Sequence, residues 1–174
     1  MVCLQPDVFG RKEVKSEKKS YRNVIGIFMN QIMQGEPMTI FGDGSQTRAF
    51  SFIDDVAPVI VASINRPDAY NQVFNVGADK PYSVAELANV VARAMGVPPQ
   101  IRKLEARNEV VHAYSAHDKV QKYFGDLIKN ISLEEGVNRM AVWAKKTGAR
   151  EGQPFSGVEV KKNMPPSWAK LLTS

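Results

Sequence analysis

Short β-capable runs alternate with capped amphipathic segments along this chain, and that alternation predicts a mixed α/β or α+β fold. Two observations carry the prediction most directly. Met38–Phe41 is a short apolar run that ends in Gly42-Asp43-Gly44, residues that tolerate the positive φ of a tight reversal. Ser83-x-x-Glu86 and Ser132-x-x-Glu135 then mark two helix starts, each opening an amphipathic run.

Taken in order, residues 1–20 are basic and are expected to be poorly structured on their own. Asn23 to Gln34 reads as a helix. Val24, Phe28 and Ile32 form one row and Ile25, Met29 and Met33 the next, so the stripe is broad and calls for cover on more than one side. Asn23 suits an N-cap, Gly35 ends the helix and Pro37 prevents a restart. After the Gly-rich turn, Ala49 to Ile53 alternates, with Phe50 and Phe52 on one face. Asp54 or Asp55 caps the next helix. Pro58 favours Asp55, which would put the proline at the third helical position, where its missing N–H costs no bond. Val56 to Asn65 aligns Val56, Ile60 and Ile64.

Gln72–Val76 is a short strand. The helix opened by Ser83 runs to Met95, turns Val84, Leu87, Ala88, Val91 and Met95 inward, and closes on Gly96. Pro98-Pro99 separates it from a strand at Gln100–Leu104. A helix near Asp118–Phe124 follows. The one opened by Ser132 reaches about Lys146, with Leu133, Val137, Met140 and Ala144 inward. Residues 148–174 read as a tail that Phe155, Val158, Trp168 and Leu171 could pin to the body. No internal repeat and no low-complexity tract interrupts the pattern.

At 174 residues, 44% of them hydrophobic, one soluble domain is the expectation. The lone cysteine, Cys3, excludes an internal disulfide and suits a reducing cytoplasm. No signal-peptide pattern opens the sequence. The longest apolar runs, Val24–Met29 and Ala57–Ser63, fall far short of the roughly 20 residues that span a membrane. The net charge of +5 is concentrated in Arg11–Arg22, with a smaller cluster at Lys161-Lys162. No aromatic residue interleaves Arg11–Ser20, so a solvated linker is favoured over a nucleic-acid arm.

Arg48 follows the Gly-rich turn at the mouth of a strand. A guanidinium beside a turn with available backbone N–H groups suits an anion, and its planar fork can grip phosphate. The competing reading is a surface ion pair with Asp54 or Asp55. His112 and His117 have no third partner at metal spacing, which argues against a zinc site. Cys3 has no His or Asn partner that would make it a nucleophile. Met29, Met33, Met38, Met95 and Met140 read as core filler.

Four stretches together resemble the C-terminal half of the extended short-chain dehydrogenase/reductases, the NAD-dependent sugar-nucleotide epimerases and dehydratases. They are Tyr21-Arg22-Asn23-Val24-Ile25-Gly26, Gly35-Glu36-Pro37-Met38-Thr39-Ile40-Phe41-Gly42-Asp43-Gly44, Thr47-Arg48-Ala49-Phe50-Ser51-Phe52-Ile53-Asp54-Asp55 and Phe74-Asn75-Val76-Gly77. Val8-Phe9-Gly10 is similar to the family's Asn-Val-Tyr-Gly turn, with Asp7 where the family has Asn. Two family features are missing. No Gly-x-x-Gly-x-x-Gly turn follows an N-terminal strand. No Tyr-x-x-x-Lys pair exists either: Ile25, Phe74, Glu86, Asp118 and Leu127 stand four places after the five tyrosines.

The resemblance implies a substrate-binding lobe, residues 21–147, without its N-terminal Rossmann half, flanked by the basic segment 1–20 and the tail 148–174. It implies that Arg48 grips phosphate, that Thr39 and Phe41 line a base pocket, and that Asn23 meets the sugar nucleotide. Arg107 and Glu109 resemble an Arg-x-Gly-Asp segment that holds the second phosphate and a ribose hydroxyl, although Asn108 replaces the glycine. The expected ligand is a nucleotide sugar, a UDP-sugar in the first instance, with UDP-glucose 4-epimerase-like chemistry in the intact enzyme. NAD would belong to that enzyme and not to this chain alone, which carries no catalytic residue of the family. In the resembled fold the strand matching Gln72–Val76 pairs into the absent lobe, so self-association or a missing partner lobe is expected. The alternative is a non-catalytic nucleotide-binding or subunit-interaction module.

Overall fold

In a computed structural model of the chain, the described residues are 2–4, 8–9, 23–106, 110–113 and 115–149. They form an α/β arrangement of short, mostly parallel strand pairs covered by helices. Residues 148–149 apart, the tail lies outside the described set, as do Arg107, Glu109 and most of the basic N-terminal segment.

Helix α1 (Val24–Met33) begins at Asn23, whose side chain accepts from the Ile25 N–H at 3.0 Å. Helix α3 (Val84–Met95) carries the expected capping box between Ser83 and Glu86, and it ends on Gly96 at φ +75°. Helix α5 (Leu133–Thr147) starts with the Ser132 hydroxyl accepting from Glu135 N–H. These three helices pack together around Ile25, Phe28, Met29, Leu87, Ala88, Val91 and Val137. The broad stripe of α1 is thereby explained, because α3 and α5 both lie against it.

Strand β3 (Met38–Phe41) lies in the same core and pairs in parallel with β8 (Ile101–Leu104), Met38 opposite Ile101 and Phe41 opposite Leu104. Strand β4 (Thr47–Ala49) is the centre of a three-stranded sheet. It runs antiparallel to β7 (Pro81–Ser83) and parallel to β9 (His112–Ala113).

A second core joins α2 (Ile53–Ala62), β6 (Phe74–Val76) and α4 (Asp118–Phe124) through Val56, Val59, Phe74 and Phe124. The Phe74 and Phe124 rings meet edge-on at 5.3 Å. The expectation that the strand at Gln72–Val76 lacks a partner does not hold. β1 (Val2–Leu4) pairs with it in parallel, Val2 opposite Phe74, and β2 (Val8–Phe9) pairs with β5 (Ser51–Phe52) in the same way. Residues that look unstructured in isolation are thus ordered by strands far along the chain.

Three further differences have local causes. Ala49, Phe50, Ser51 and Phe52 are all buried, so the alternation there separates two covered faces rather than core from solvent. Helix α2 begins at Ile53, with Phe52 at the N-cap and no side-chain cap. Asp55 is drawn away from capping because its carboxylate accepts the backbone N–H groups of Lys129 at 2.7 Å and Ile131 at 2.9 Å. Pro58 consequently lies inside the helix, past the turn where its missing N–H would cost nothing. Finally, α2 tightens into a 3-10 turn at Ser63–Asn65, which rotates Ile64 off the Val56 row. Val56 and Val59 are buried, while Ile64 is 68% exposed.

Candidate functional site

Thr39, Phe41 and Arg48 belong to one continuous unit, β3–turn–β4. The turn is set by Gly42 at φ +69° and Gly44 at φ +84°, both in the left-handed region that glycine adopts without strain. Gly44 must also be small. A Cβ there would stand 3.1 Å from Ile40 Cγ2 and 3.2 Å from Ala85 Cβ. The turn is fastened to the start of α3, since Ala85 N–H donates to Gly44 O at 3.1 Å and Val84 N–H to Gln46 O at 3.1 Å.

The backbone N–H groups of this turn are less available than the sequence suggests. Gly42 N–H donates to Leu104 O, and Thr47 N–H donates to Val111 O. Ser45 donates to Asp43 Oδ1 through its N–H at 2.9 Å and its hydroxyl at 2.7 Å. Those two bonds, the backbone one foremost, hold the Asp43 carboxyl below the ordinary aspartate value, and Lys103 adds a smaller Coulombic pull. The turn therefore carries its own negative charge, and Arg48 is the one cationic side chain of the β3–turn–β4 unit.

Arg48 is half-buried in the central strand. Its Nη1 donates to its own neighbour's carbonyl, Thr47 O, at 2.8 Å and to Val111 O at 3.3 Å, which lays the guanidinium along the β9 side of the sheet. The ion-pair alternative is not what orders it. Asp54 pairs with Arg139 at 3.2 Å, and Asp55 is committed to Lys129 and Ile131. Thr39 faces α1, where the Gln31 amide both donates to its hydroxyl at 2.9 Å and accepts its backbone N–H at 3.1 Å. Phe41 O accepts from Gln46 Nε2 at 3.1 Å. Asn23 serves as the α1 N-cap, outside the β3–turn–β4 unit.

Arg107 and Glu109 lie outside the described residues. Their flanks are fixed on the same unit: Ala106 sits against Gly42, and Val111–Ala113 runs beside Thr47 and Arg48. Sequence reasoning passed over Gln31 and Gln46, and it weighed His112 only as a metal ligand, whereas its Nδ1 lies 2.8 Å from Thr47 Oγ1. Each acts through the fold on a residue with no local motif linking the two, so no signal in the sequence marks them.

A separate cleft of about 400 Å³ opens between β5, the β6–β7 turn and the start of α5, with Asp55, Lys80, Tyr82 and Asn130 among its lining residues. It does not include Arg48. Among the described residues no cluster of His, Cys, Asp and Glu has metal-binding geometry, and no helix is long and apolar enough to cross a membrane.

The model of the NAD dependent epimerase/dehydratase family matches residues 3–77. A UDP-glucuronate 4-epimerase of Thermodesulfobacterium geofontis is 32% identical over 129 residues, 68% of this chain and 36% of the relative. A dTDP-L-rhamnose 4-epimerase of Burkholderia thailandensis is 28% identical over 74% of this chain and 36% of its own. Among solved structures, an epimerase from Methanothermobacter thermautotrophicus superposes with a TM-score of 0.75 at 28% identity, over 84% of this chain and 43% of that one. A UDP-glucose 4-epimerase with UDP-glucose from Thermotoga maritima gives a TM-score of 0.71 at 26% identity, over 84% and 45%. The chain thus spans less than half the length of these relatives. On its motifs, its fold and these matches, the chain belongs to the NAD-dependent epimerase/dehydratase family.

Proposed function

We propose that this chain supplies the nucleotide-sugar-binding surface of an epimerase or dehydratase and does not catalyse the reaction alone. The observation that supports this most is the placement of Arg48. It stands in the central strand of the β7–β4–β9 sheet, directly after the β3–turn unit, with its guanidinium held by two carbonyls, Thr47 O and Val111 O. A planar, permanently charged fork held in this way suits a diphosphate. The likeness to a UDP-glucose 4-epimerase with UDP-glucose makes a UDP-sugar the first ligand to try. Gln31 engages both the hydroxyl and the backbone N–H of Thr39, so any part Thr39 takes in a base pocket falls to its carbonyl.

The residues present do not fit NAD. The sequence holds no Gly-x-x-Gly-x-x-Gly turn and no Tyr-x-x-x-Lys pair. The one Gly-rich turn of the unit has Gly42, Ser45 and Thr47 N–H groups already bonded and an ionised Asp43 within it, a poor cradle for a pyrophosphate. No hydride step is assigned to this chain. Pairing with a further lobe, or with itself, is part of the same reading, set in a reducing cytoplasm. Among the described residues β1 and β6 have one strand neighbour each, and Val61, Ile64, Tyr70 and Val73 are large apolar groups more than half exposed.

A thermal-shift screen of UDP-, GDP- and dTDP-sugars tests the proposal. Stabilisation by at least one of them is expected. A flat response to all three classes, in a chain that melts cooperatively, would contradict it.

A further inference from the structure

Two polar side chains are buried among the described residues, Ser51 and His117, each 2% exposed. Both reach the same short turn between β6 and β7. Ser51 Oγ accepts the Ala78 N–H at 2.7 Å. One residue further on, Asp79 Oδ1 lies 2.6 Å from His117 Nδ1, and the other ring nitrogen, Nε2, lies 3.2 Å from Ser115 Oγ. A single tautomer satisfies both contacts: Nδ1–H donates to the carboxylate, and Nε2 accepts the Ser115 hydroxyl.

The position of this contact matters more than its chemistry. Strand β7 begins at Pro81, opposite Ala49, and β9 ends at Ala113, opposite Arg48. Asp79 therefore stands just before β7 and His117 just after β9, both beyond the same end of β4. The imidazole joins the two strands that flank Arg48. Asn75, in β6, also reaches the segment after β9, its Nδ2 donating to Ala116 O at 3.5 Å. The order Ser–His–Asp is that of a hydrolase triad, but the exposure is reversed. In such a triad the carboxylate is buried behind the imidazole. Here Asp79 is 70% exposed and the imidazole 1%.

We propose that Ser115, His117 and Asp79 form a latch that holds β7 and β9 on either side of Arg48, which makes His117 a positioning residue for diphosphate binding. The proposal rests on the reading that Arg48 meets phosphate. The physical reason is the shortness of β9. Two residues, paired to β4 alone among the described strands, cannot hold a register by backbone bonds. Val111 O, next to β9, is one of the two carbonyls that hold Arg48 Nη1, so drift of β9 loosens that hold. The latch is absent from every local motif in the sequence, because Asp79 and His117 are 38 residues apart.

The test uses the full chain and UDP as the probe, with His117→Phe, His117→Asn and Asp79→Ala beside the wild type. Asn at 117 can still donate in place of Nδ1, whereas Phe fills the space without donating. Amide exchange is followed at Thr47, whose N–H bonds Val111 O, and at Val91 in α3 as a reference. Loss of one such bond predicts a loss of protection at Thr47, relative to Val91, of up to about tenfold in His117→Phe and Asp79→Ala, with a similar rise in the UDP dissociation constant. His117→Asn should stay close to wild type in both readings. If His117→Phe fails to fold, Asp79→Ala, altered at an exposed side chain, gives the same two measurements. If the wild type does not bind UDP, the reading of Arg48 fails, and exchange at Thr47 still decides the latch. Unchanged Thr47 protection in both disruptive variants would overturn the latch, as would equal loss in His117→Asn and His117→Phe.

Discussion

Gly44 and Ala85 are in direct contact, with the Ala85 N–H donating to Gly44 O at 3.1 Å and no room for a side chain between them. This one relationship joins the turn after β3 to the start of α3. It converts the Gly-rich turn from a flexible reversal into a fixed corner from which β4 and Arg48 depart.

Gly44→Ala should therefore destabilise the fold. The added Cβ meets Ile40 and Ala85 at 3.1–3.2 Å, and φ +84° disfavours any L side chain. Overpacking and left-handed strain together predict a loss of roughly 1–3 kcal/mol, read by urea unfolding. Gly35→Ala is the control for strain alone, since nothing lies within 4 Å of a Cβ there although φ is +74°. It should cost less than Gly44→Ala.

Asp55→Ala should cost about 2 kcal/mol, because a carboxylate that accepts two backbone N–H groups is lost. Asp55→Asn should recover part of this, since the amide oxygen can still accept one of them. Equal unfolding midpoints for wild type and Asp55→Ala would show that the Lys129–Ile131 segment does not depend on it.

Helix termini and inward faces were legible in the sequence because they are local. Ser83, Glu86, Gly96 and Ser132 act within a few residues of themselves, and their observed roles match their spacing. The α2 start was misread for the opposite reason. Asp55 has a better use 74 residues away, at Lys129, than at its own helix. The strand partners of Phe74–Val76 and Ser51–Phe52 lie near the N-terminus, and nothing in Val2–Leu4 or Val8–Phe9 alone reveals the pairing. The position of Arg48, on a strand directly after the Gly-rich turn, follows from the local sequence pattern. The bond from Arg48 to Val111 O spans 63 residues and left no pattern, and no motif marks the Gln31 amide that turns Thr39 toward α1.

The pH dependence of α3 can be assigned to its cap. The Glu86 carboxyl is held below its ordinary value of 4.5, first by the Ser83 backbone N–H and then by the Ser83 hydroxyl. A depressed folded value means that the stabilisation is complete above 4.5 and disappears as pH falls through the folded value. Wild type should therefore exceed Glu86→Gln in melting temperature at neutral pH, and the gap should close on acidification below pH 4.5. A gap that persists unchanged at low pH would assign the effect to shape rather than charge.

This chain alone should not bind NAD. Calorimetry is expected to give no saturable heat. One site per chain at micromolar affinity would refute the view that the chain brings only the substrate side of the reaction.

Calorimetric titration of UDP-glucose into the wild type, Arg48→Lys and Arg48→Ala tests the central claim most directly. A charge-assisted bond from Arg48 to a diphosphate predicts a dissociation constant about 10- to 100-fold higher in Arg48→Ala. Lysine keeps the charge but loses the fork, so Arg48→Lys should fall between the two. Wild-type binding that survives Arg48→Ala unchanged would contradict the assignment of Arg48 as the phosphate contact.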